Sequence, residues 1–355
     1  MKTLKKYILN FFIKYFLIIL LSLEVFFTAI DFLQNIDSLP NSANLQLLYI
    51  FYNSIFTLSI ALPLSLVFAW ILTITTMIKN NELVSLYALG VSKKMILTPI
   101  ILTSLLITSC LIMLQTTPLA YAQENKKKIL HNEYFVNEQS NIFLKYNEYF
   151  IYFKKLYPIE KKATDIHIFK VVNNDVTEII IAKKAYFQNN KWYTIDNKVI
   201  KKPTTIDWNK SKLNITHEKF LYTLEGFEPK IIGNVYKAEV QFSIIDAIRT
   251  ILLLDNQDFD TNKIKTILYS QVIMPFFIIP LIVIIFLFTT ASNRFFNKTL
   301  FISLSSFITL LIWGILFLLQ KLALGGILLS EIAMLLPISL LFLTMKILTK
   351  KHMEE

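Results

Sequence analysis

The chain has 355 residues, of which 54% are hydrophobic and 17% are charged, and its formal net charge at pH 7 is +11. The basic residues are spread along the chain rather than grouped in one recognition element, which argues against a nucleic-acid-binding protein. The single cysteine, Cys110, excludes an intramolecular disulfide.

Three apolar segments precede the polar middle of the chain, and three follow it. A bilayer core of about 30 Å requires roughly 20 mostly apolar residues in a helix, and each segment is long enough. The predicted spans are 11–33, 48–77, 100–119, 267–290, 300–319 and 327–348. We therefore predict a six-span membrane protein with one domain inserted between its third and fourth spans.

The Lys and Arg residues of the short connections predict the orientation, since positive charge is retained on the cytoplasmic side of a membrane. With the N-terminus inside, the short outer loops, 34–46 and 321–330, contain only Lys321. The inner segments contain Lys2, Lys5, Lys6, Lys79, Lys93, Lys94, Arg294, Lys298, Lys346, Lys350 and Lys351. We therefore predict cytoplasmic termini and a middle domain on the far side of the membrane.

The first span contains two carboxylates, Glu24 and Asp31, which lie seven residues apart and so on roughly one helical face. Ionisable residues inside a membrane are costly to bury and are therefore functional candidates. The two residues would line a polar seam between helices or a substrate path. In the alternative interpretation, Glu24 only bonds a neighbouring helix and Asp31 lies at the outer interface.

The connection between the second and third spans predicts a short amphipathic helix at 80–91. Asn81 is a candidate N-cap, Glu82 suits the positive end of the helix dipole, and Gly90 suits the C-terminal end. The apolar stripe consists of Leu83, Leu86 and Tyr87. Such a helix lies on lipid or docks in a groove of a soluble partner, and the pattern alone leaves both open.

The third span is predicted to begin at Thr98 and Pro99, because a threonine cap and a first-turn proline are a common helix start. The hydrophobic period then changes from helical to alternating between about 121 and 242. Strand-like runs are 149–153, 166–172, 177–182, 185–188 and 192–195. Asn-rich turns at 173–175 and 189–191 separate them, which favours a β-sandwich or jelly roll.

A helical pattern returns at 243–254, where Arg249 lies off the apolar stripe, and a polar break follows at 255–260. The stripe consists of Ile244, Ile248, Ile251 and Leu252. This pattern predicts a connecting or interfacial helix.

No catalytic motif stands out. The six glycines do not form a phosphate-binding loop, so any ATP chemistry must come from another polypeptide, and we expect no cofactor in this chain. The four histidines lie far apart, at His131, His167, His217 and His352, without the spacing of a zinc site. A membrane enzyme acting on envelope lipids would need a polar catalytic cluster that the sequence does not show.

Several features together resemble one family. They are the segment 82–92 preceded by Leu62-Pro63, the stretch 262–275, Arg294, Gly325-Gly326 with Pro337, and the three-plus-three layout of spans. In this combined order the chain resembles the LptF/LptG family, the permease subunits of the lipopolysaccharide exporter. The resemblance implies a membrane α-helical fold of six transmembrane helices with an inserted, all-β, jelly-roll-like periplasmic domain. Its domains would be 1–120, 121–242, a connection at 243–266, and 267–355, with the coupling helix at 80–91.

The resemblance also implies partners and site residues. In that family two related permeases pair, bind a dimeric cytoplasmic ABC ATPase, and pass lipopolysaccharide from the inner membrane of a Gram-negative bacterium to a periplasmic bridge that includes single-span β-jelly-roll proteins. Glu82 would be the coupling-helix glutamate. The implied ATPase-coupling residues are Glu82, Leu83, Leu86, Tyr87 and Gly90. The substrate-path candidates are Glu24, Thr28, Asp31, Arg249 and Lys321.

One position departs from the family pattern. Thr28 stands where LptG-type members have a basic residue that helps to hold lipid phosphates, and Lys321 and Arg249 are the substitutes that this sequence offers. The stretch 30–33 resembles LptG slightly more than LptF. The alternative function is a mechanotransmission or lipoprotein-release permease, which would have four spans and would not carry lipopolysaccharide.

Overall fold

The computed structural model describes residues 2–131, 139–158, 160–172, 175–203, 213–227, 229, 241–254, 261–290, 294 and 296–353. The chain divides into two compact units. The membrane unit comprises Met1–His131, Phe242–Ile248 and Thr261–Glu355, and the β unit comprises Asn132–Gln241 and Arg249–Asp260. The predicted turn residues 173–174 and the predicted polar break at 255–260 lie outside the described residues.

The membrane unit is helical. Its helices are α1 (Lys2–Gln34), α2 (Ala43–Lys79), α3 (Glu82–Ala88), α4 (Lys93–Gln115), α5 (Ala122–Leu130), the first part of α6 (Ile244–Leu254), α7 (Asn262–Val272), α8 (Ile278–Leu287), α9 (Lys298–Leu324) and α10 (Leu336–Met353). In the described part of the chain, five helices are long and apolar enough to cross a membrane, and a bent pair would make a sixth. This confirms the predicted membrane α-helical class.

The sixth candidate span is broken. The helices Asn262–Val272 and Met274–Leu287 meet at an angle of 45°. Pro275 and Pro280 follow the break, and proline removes a backbone donor and crowds the preceding turn, which bends a helix. The predicted fourth span, 267–290, is therefore two helical segments rather than one straight helix.

The long helix α2 carries polar side chains at positions that are fully buried. The hydroxyls of Ser65, Thr73 and Thr75 donate to carbonyls four residues earlier, at 2.6–2.7 Å. In an apolar environment a side-chain donor without an acceptor is costly, and the helix backbone supplies the acceptor here. The indole Nε1 of Trp70 donates to the carbonyl of Ile282 at 3.0 Å, which ties α2 to α8.

The third span begins earlier than predicted. Helix α4 starts at Lys93, and the Ser92 hydroxyl accepts from the Met95 amide at 3.4 Å as its N-cap. Thr98 donates to the Lys94 carbonyl, and Pro99 lies inside the helix. The predicted start at Thr98 and Pro99 is therefore wrong, because a serine cap one and a half turns upstream had already begun the helix.

The β unit contains one six-stranded antiparallel sheet whose strands follow one another in chain order. The strands are β1 (Gln139–Tyr146), β2 (Tyr149–Tyr157), β3 (Lys162–Val172), β4 (Asp175–Gln188), β5 (Lys191–Lys201) and β6 (Asn214–Thr223). The predicted runs 177–182 and 185–188 belong to the single strand β4. The predicted turn at 189–191 is present, and Asn189 and Asn190 both have positive φ there.

One face of the sheet carries the core of the β unit. A row of paired residues crosses it from Leu144 through Ile151, Ile168 and Ile180 to Val199. Trp192 is fully buried in this core, and its indole donates to the Phe227 carbonyl at 2.7 Å. The segment after β6 is thereby held against the sheet.

We expect Trp192→Phe to destabilise the β unit by about 1–3 kcal/mol, because the buried Phe227 carbonyl would lose its donor. Hydrogen exchange of the full chain in detergent measures the effect as faster exchange in β5 and β6. Tyr222→Phe is the control, since that side chain is 67% exposed. Equal exchange in the two variants would contradict the prediction.

Candidate functional site

Helix α3 is the short helix expected between the second and third spans. It ends at Ala88, and Gly90, two residues later, has a φ of +80°, a left-handed conformation that glycine adopts without steric cost. The expected cap is different. Asn81 has a left-handed backbone and its side chain makes no capping bond, whereas the Asn80 amide donates to Glu82 Oε1 at 3.0 Å. Asn81 thus occupies the predicted N-cap position without capping the helix through its side chain, and Asn80 holds the Glu82 side chain.

The two faces of α3 have different surroundings. Leu83 is fully buried, and Leu86 and Tyr87 pack against the core of the membrane unit. Burial raises the pKa of the Tyr87 phenol to about 12. The predicted apolar stripe is thus in contact with the protein's own helices. The outward surface is formed instead by Val84, which is 38% exposed, and Leu89, which is 80% exposed.

Polar side chains connect α1 and α2 on the side of the loop that joins the two helices. The Thr57 hydroxyl donates to Glu24 Oε1 at 2.6 Å, and Thr28 and Ser54 lie 3.5 Å apart. Glu24 therefore contributes to a polar contact between α1 and α2, which the polar-seam interpretation allows. The alternative, in which Glu24 bonds a neighbouring helix, describes the same Thr57 contact.

Asp31 is the centre of a buried ion pair at the end of this seam. Lys126 Nζ of α5 lies 2.7 Å from Asp31 Oδ2 and 3.0 Å from Asn53 Oδ1 of α2. The Tyr49 hydroxyl also donates to Asp31. The ammonium group lies 5.7 Å from the centre of the Tyr49 ring and 5.6 Å from that of Phe56. Lys126 is only 7% exposed, so its charge is neutralised and enclosed by α1 and α2.

The charge of the predicted candidate Lys321 affects a second cation of α5, Lys127. The pKa of Lys127 is below its usual range, first because of burial and then because of the positive charges of Lys126 and Lys321. Lys321 is in the last turn of α9, with its ammonium 5.3 Å from the centre of the Phe317 ring. Helices α5 and α9 both pack against α2.

The lysines of α5 were not among the predicted site residues. The run Lys126-Lys127-Lys128 lies just before the β unit and has the composition of a solvated surface. A signal was available, however, because Asp31 was recognised as a carboxylate in an apolar span. Such a group requires a cationic or hydrogen-bonding partner, and a basic run just after the third span can supply it.

Arg249 is not brought into this cluster. It is an exposed residue of α6 and is grouped with the β unit. The residues of the predicted apolar stripe of α6 differ in exposure, because Ile244 is buried while Ile248 and Leu252 are 44% and 70% exposed. The buried face consists of Ile244, Ala247, Thr250 and Leu254.

The start of α6 is anchored in the membrane unit. The Tyr121 hydroxyl donates to Asp246 Oδ2 at 2.5 Å. Burial and the adjacent carboxylate raise the pKa of this phenol. Elsewhere in the described ranges, no three His, Cys, Asp or Glu side chains meet in a way that could hold a metal ion.

Comparison with known proteins gives one finding of wide coverage. The family model described as "Lipopolysaccharide export system permease LptF/LptG" matches residues 6–351, nearly the whole chain. No curated protein matches the chain closely enough to count as a relative. The match spans both the helices and the β unit, so it applies to the layout as a whole and not to one segment.

Proposed function

Because the chain belongs to the LptF/LptG family of lipopolysaccharide export permeases, we propose that it is the transmembrane subunit of an ABC transporter that extracts lipopolysaccharide from the inner membrane. The family match over residues 6–351 is the observation that carries the proposal. Lipopolysaccharide would pass to a periplasmic bridge of proteins that includes single-span β-jelly-roll proteins. The chain would supply the path and the mechanical link, while a partner ATPase binds and hydrolyses ATP.

The proposed orientation puts both termini and α3 in the cytoplasm and the β unit in the periplasm of a Gram-negative cell. The basic residues of the inner connections support it. The proposed partners are a cytoplasmic ATPase dimer at α3 and a second permease of the same family beside the membrane unit. The five candidate spans and the bent pair favour this reading over a four-span mechanotransmission or lipoprotein-release permease.

The test is affinity purification of the full chain from its native envelope in mild detergent, with identification of every protein and lipid that accompanies it. We expect an ATPase, a second permease and lipopolysaccharide. Depletion of the chain should also lower the amount of lipopolysaccharide at the cell surface. A chain that purifies with no ATPase, and whose depletion leaves surface lipopolysaccharide unchanged, would refute the proposed function.

We propose that Lys321 is a basic residue of the lipid path. It is in the last turn of α9, at the side of the membrane unit where α1, α4 and α9 end, which is the side expected to be periplasmic. Its ammonium group lies 5.3 Å from the centre of the Phe317 ring. A lipid phosphate beside this ammonium group would form a charge-assisted hydrogen bond.

We expect Lys321→Ala to retain roughly tenfold less lipopolysaccharide on purification, because a charge-assisted hydrogen bond of about 1.5–3 kcal/mol would be lost. Quantification of the lipid that co-purifies with equal amounts of protein measures the change. Lys128→Ala is the matched control, since Lys128 pairs with Glu124 at 2.9 Å on α5 itself. An equal loss in the control would show that total charge, and not Lys321, governs retention.

A further inference from the structure

Helix α6 (Ile244–Leu254) has an exposed apolar stripe opposite its buried face. Ile245, Ile248 and Leu252 are 45%, 44% and 70% exposed. Arg249 is exposed as well. The last three of these residues follow Ile245 at intervals of three, four and seven positions, so all four lie along one side of the helix. A contiguous exposed apolar stripe of this kind marks a contact with another protein or with a membrane.

The start of α6 is held at one end of a membrane-spanning helix. Helix α4 has 23 residues and is about 34 Å long, enough to cross a bilayer core of about 30 Å. It ends at Gln115. Six residues further, the Tyr121 hydroxyl donates to Asp246 Oδ2 in the first turn of α6 at 2.5 Å. The first turn of α6 is therefore close to the level at which α4 leaves the bilayer core.

A second contact ties the same end of α6 to the broken span. The side-chain amide of Gln271, one residue before the end of α7, donates to the Phe242 carbonyl at 2.8 Å. At that point the chain bends by 45° and continues into α8. Two hydrogen bonds from different helices thus keep the start of α6 in the membrane unit and at its boundary.

The exposed stripe has the composition of a helix that lies in a bilayer interface. Such helices bury an apolar face about 5–10 Å into the boundary between headgroups and acyl chains, and their basic residues attract anionic lipids. The charged residue of the stripe is an arginine, whose apolar stem can cover acyl chains while its guanidinium reaches the level of the phosphates. At the boundary of the membrane unit, lipid is the surrounding medium wherever protein does not cover the surface.

We propose that the exposed face of α6 lies in the bilayer interface of the leaflet in which α4 ends, where its three apolar side chains contact acyl chains and Arg249 binds the phosphate of an anionic phospholipid. The contact is with the lipids of the bilayer, not with an exported lipid. It therefore holds whether or not the chain transports lipopolysaccharide.

The position of the stripe is measured with bimane on single cysteines of the full chain, in nanodiscs of phosphatidylcholine. Cys110→Ser removes the natural thiol. We expect bimane at Ile248→Cys and at Leu252→Cys to be quenched by lipids brominated on their acyl chains. Leu106→Cys, on α4 and 65% exposed, is the lipid control, and Lys183→Cys, exposed on β4, is the control expected to respond to aqueous iodide alone.

Two results would overturn the proposed position. Quenching of both α6 labels by iodide to the level of Lys183→Cys, without quenching by brominated lipids, would place the stripe in water. Protection from both quenchers would assign the stripe to a protein contact, such as a second copy of the chain. The cysteines replace exposed side chains, so the variants should fold as the Cys110→Ser chain does.

The role of Arg249 is measured with bimane at Leu252→Cys in nanodiscs that contain equal amounts of phosphatidylcholine and phosphatidylglycerol, with bromine on one lipid or on the other. One cation near the headgroups should enrich the anionic lipid roughly fivefold, so brominated phosphatidylglycerol should be the stronger quencher. Arg249→Gln should abolish this preference and Arg249→Lys should keep it. Lys346→Gln, which removes one positive charge from α10, is the matched control and should leave it unchanged. Equal quenching by the two lipids in the chain that keeps Arg249, or an equal loss in the control, would refute the binding of a phospholipid by Arg249.

Discussion

Glu82→Arg is expected to abolish the association of the chain with its ATPase. Glu82 is the first residue of α3, where a negative side chain is stabilised by the positive end of the helix dipole. The Asn80 amide holds its Oε1 at 3.0 Å. An arginine at this position reverses the charge at the proposed contact and also opposes the helix dipole. The measurement is the amount of ATPase that co-purifies with equal amounts of the variant and wild-type chains.

Two further variants separate the loss of contact from a loss of local structure. Glu82→Gln keeps an acceptor for Asn80 and should retain part of the ATPase. Leu89→Asp alters a side chain that is 80% exposed, so it should leave the membrane unit folded and still remove the ATPase. Full retention of the ATPase by both Glu82→Arg and Leu89→Asp would exclude α3 as the docking element.

The periodicity of the sequence was sufficient to predict the architecture but not the helix ends. Apolar runs locate spans because a bilayer demands them, yet α1 begins at Lys2 and α4 at Lys93, well before the first residues predicted. A hydropathy pattern does not detect helical turns that extend beyond the bilayer core into water or lipid headgroups. Strand β4 was divided in two for a similar reason, since Lys183 and Lys184 interrupt the apolar alternation without interrupting the strand.

Only those features of the candidate sites that depend on a single helix or strand could be predicted from the sequence. An amphipathic pattern shows that α3 has two faces, but it does not show which face meets the rest of the chain. In the structure the stripe of Leu83, Leu86 and Tyr87 packs inward. The pairing of Asp31 with Lys126 joins residues 95 positions apart in the sequence. Such a pair depends on how helices pack, and the sequence of either helix alone does not specify it.

The second large effect is expected from Lys126→Met alone. Removal of one member of a buried ion pair leaves the other charge unsolvated, which typically costs about 3–5 kcal/mol. The Asp31 side chain is 28% exposed and keeps the Tyr49 hydroxyl as a donor, so we expect a value near the lower limit, about 3 kcal/mol. The apparent melting temperature of the full chain in detergent, followed by size exclusion after heating, measures the loss.

The double variant Asp31→Asn/Lys126→Met should recover most of this stability. Both charges are then absent, the asparagine oxygen still accepts from Tyr49, and the methionine fills the space of the lysine stem. Recovery of stability would show that the cost of Lys126→Met comes from the carboxylate left without its partner. A double variant as unstable as Lys126→Met would instead assign the loss to packing around the lysine stem.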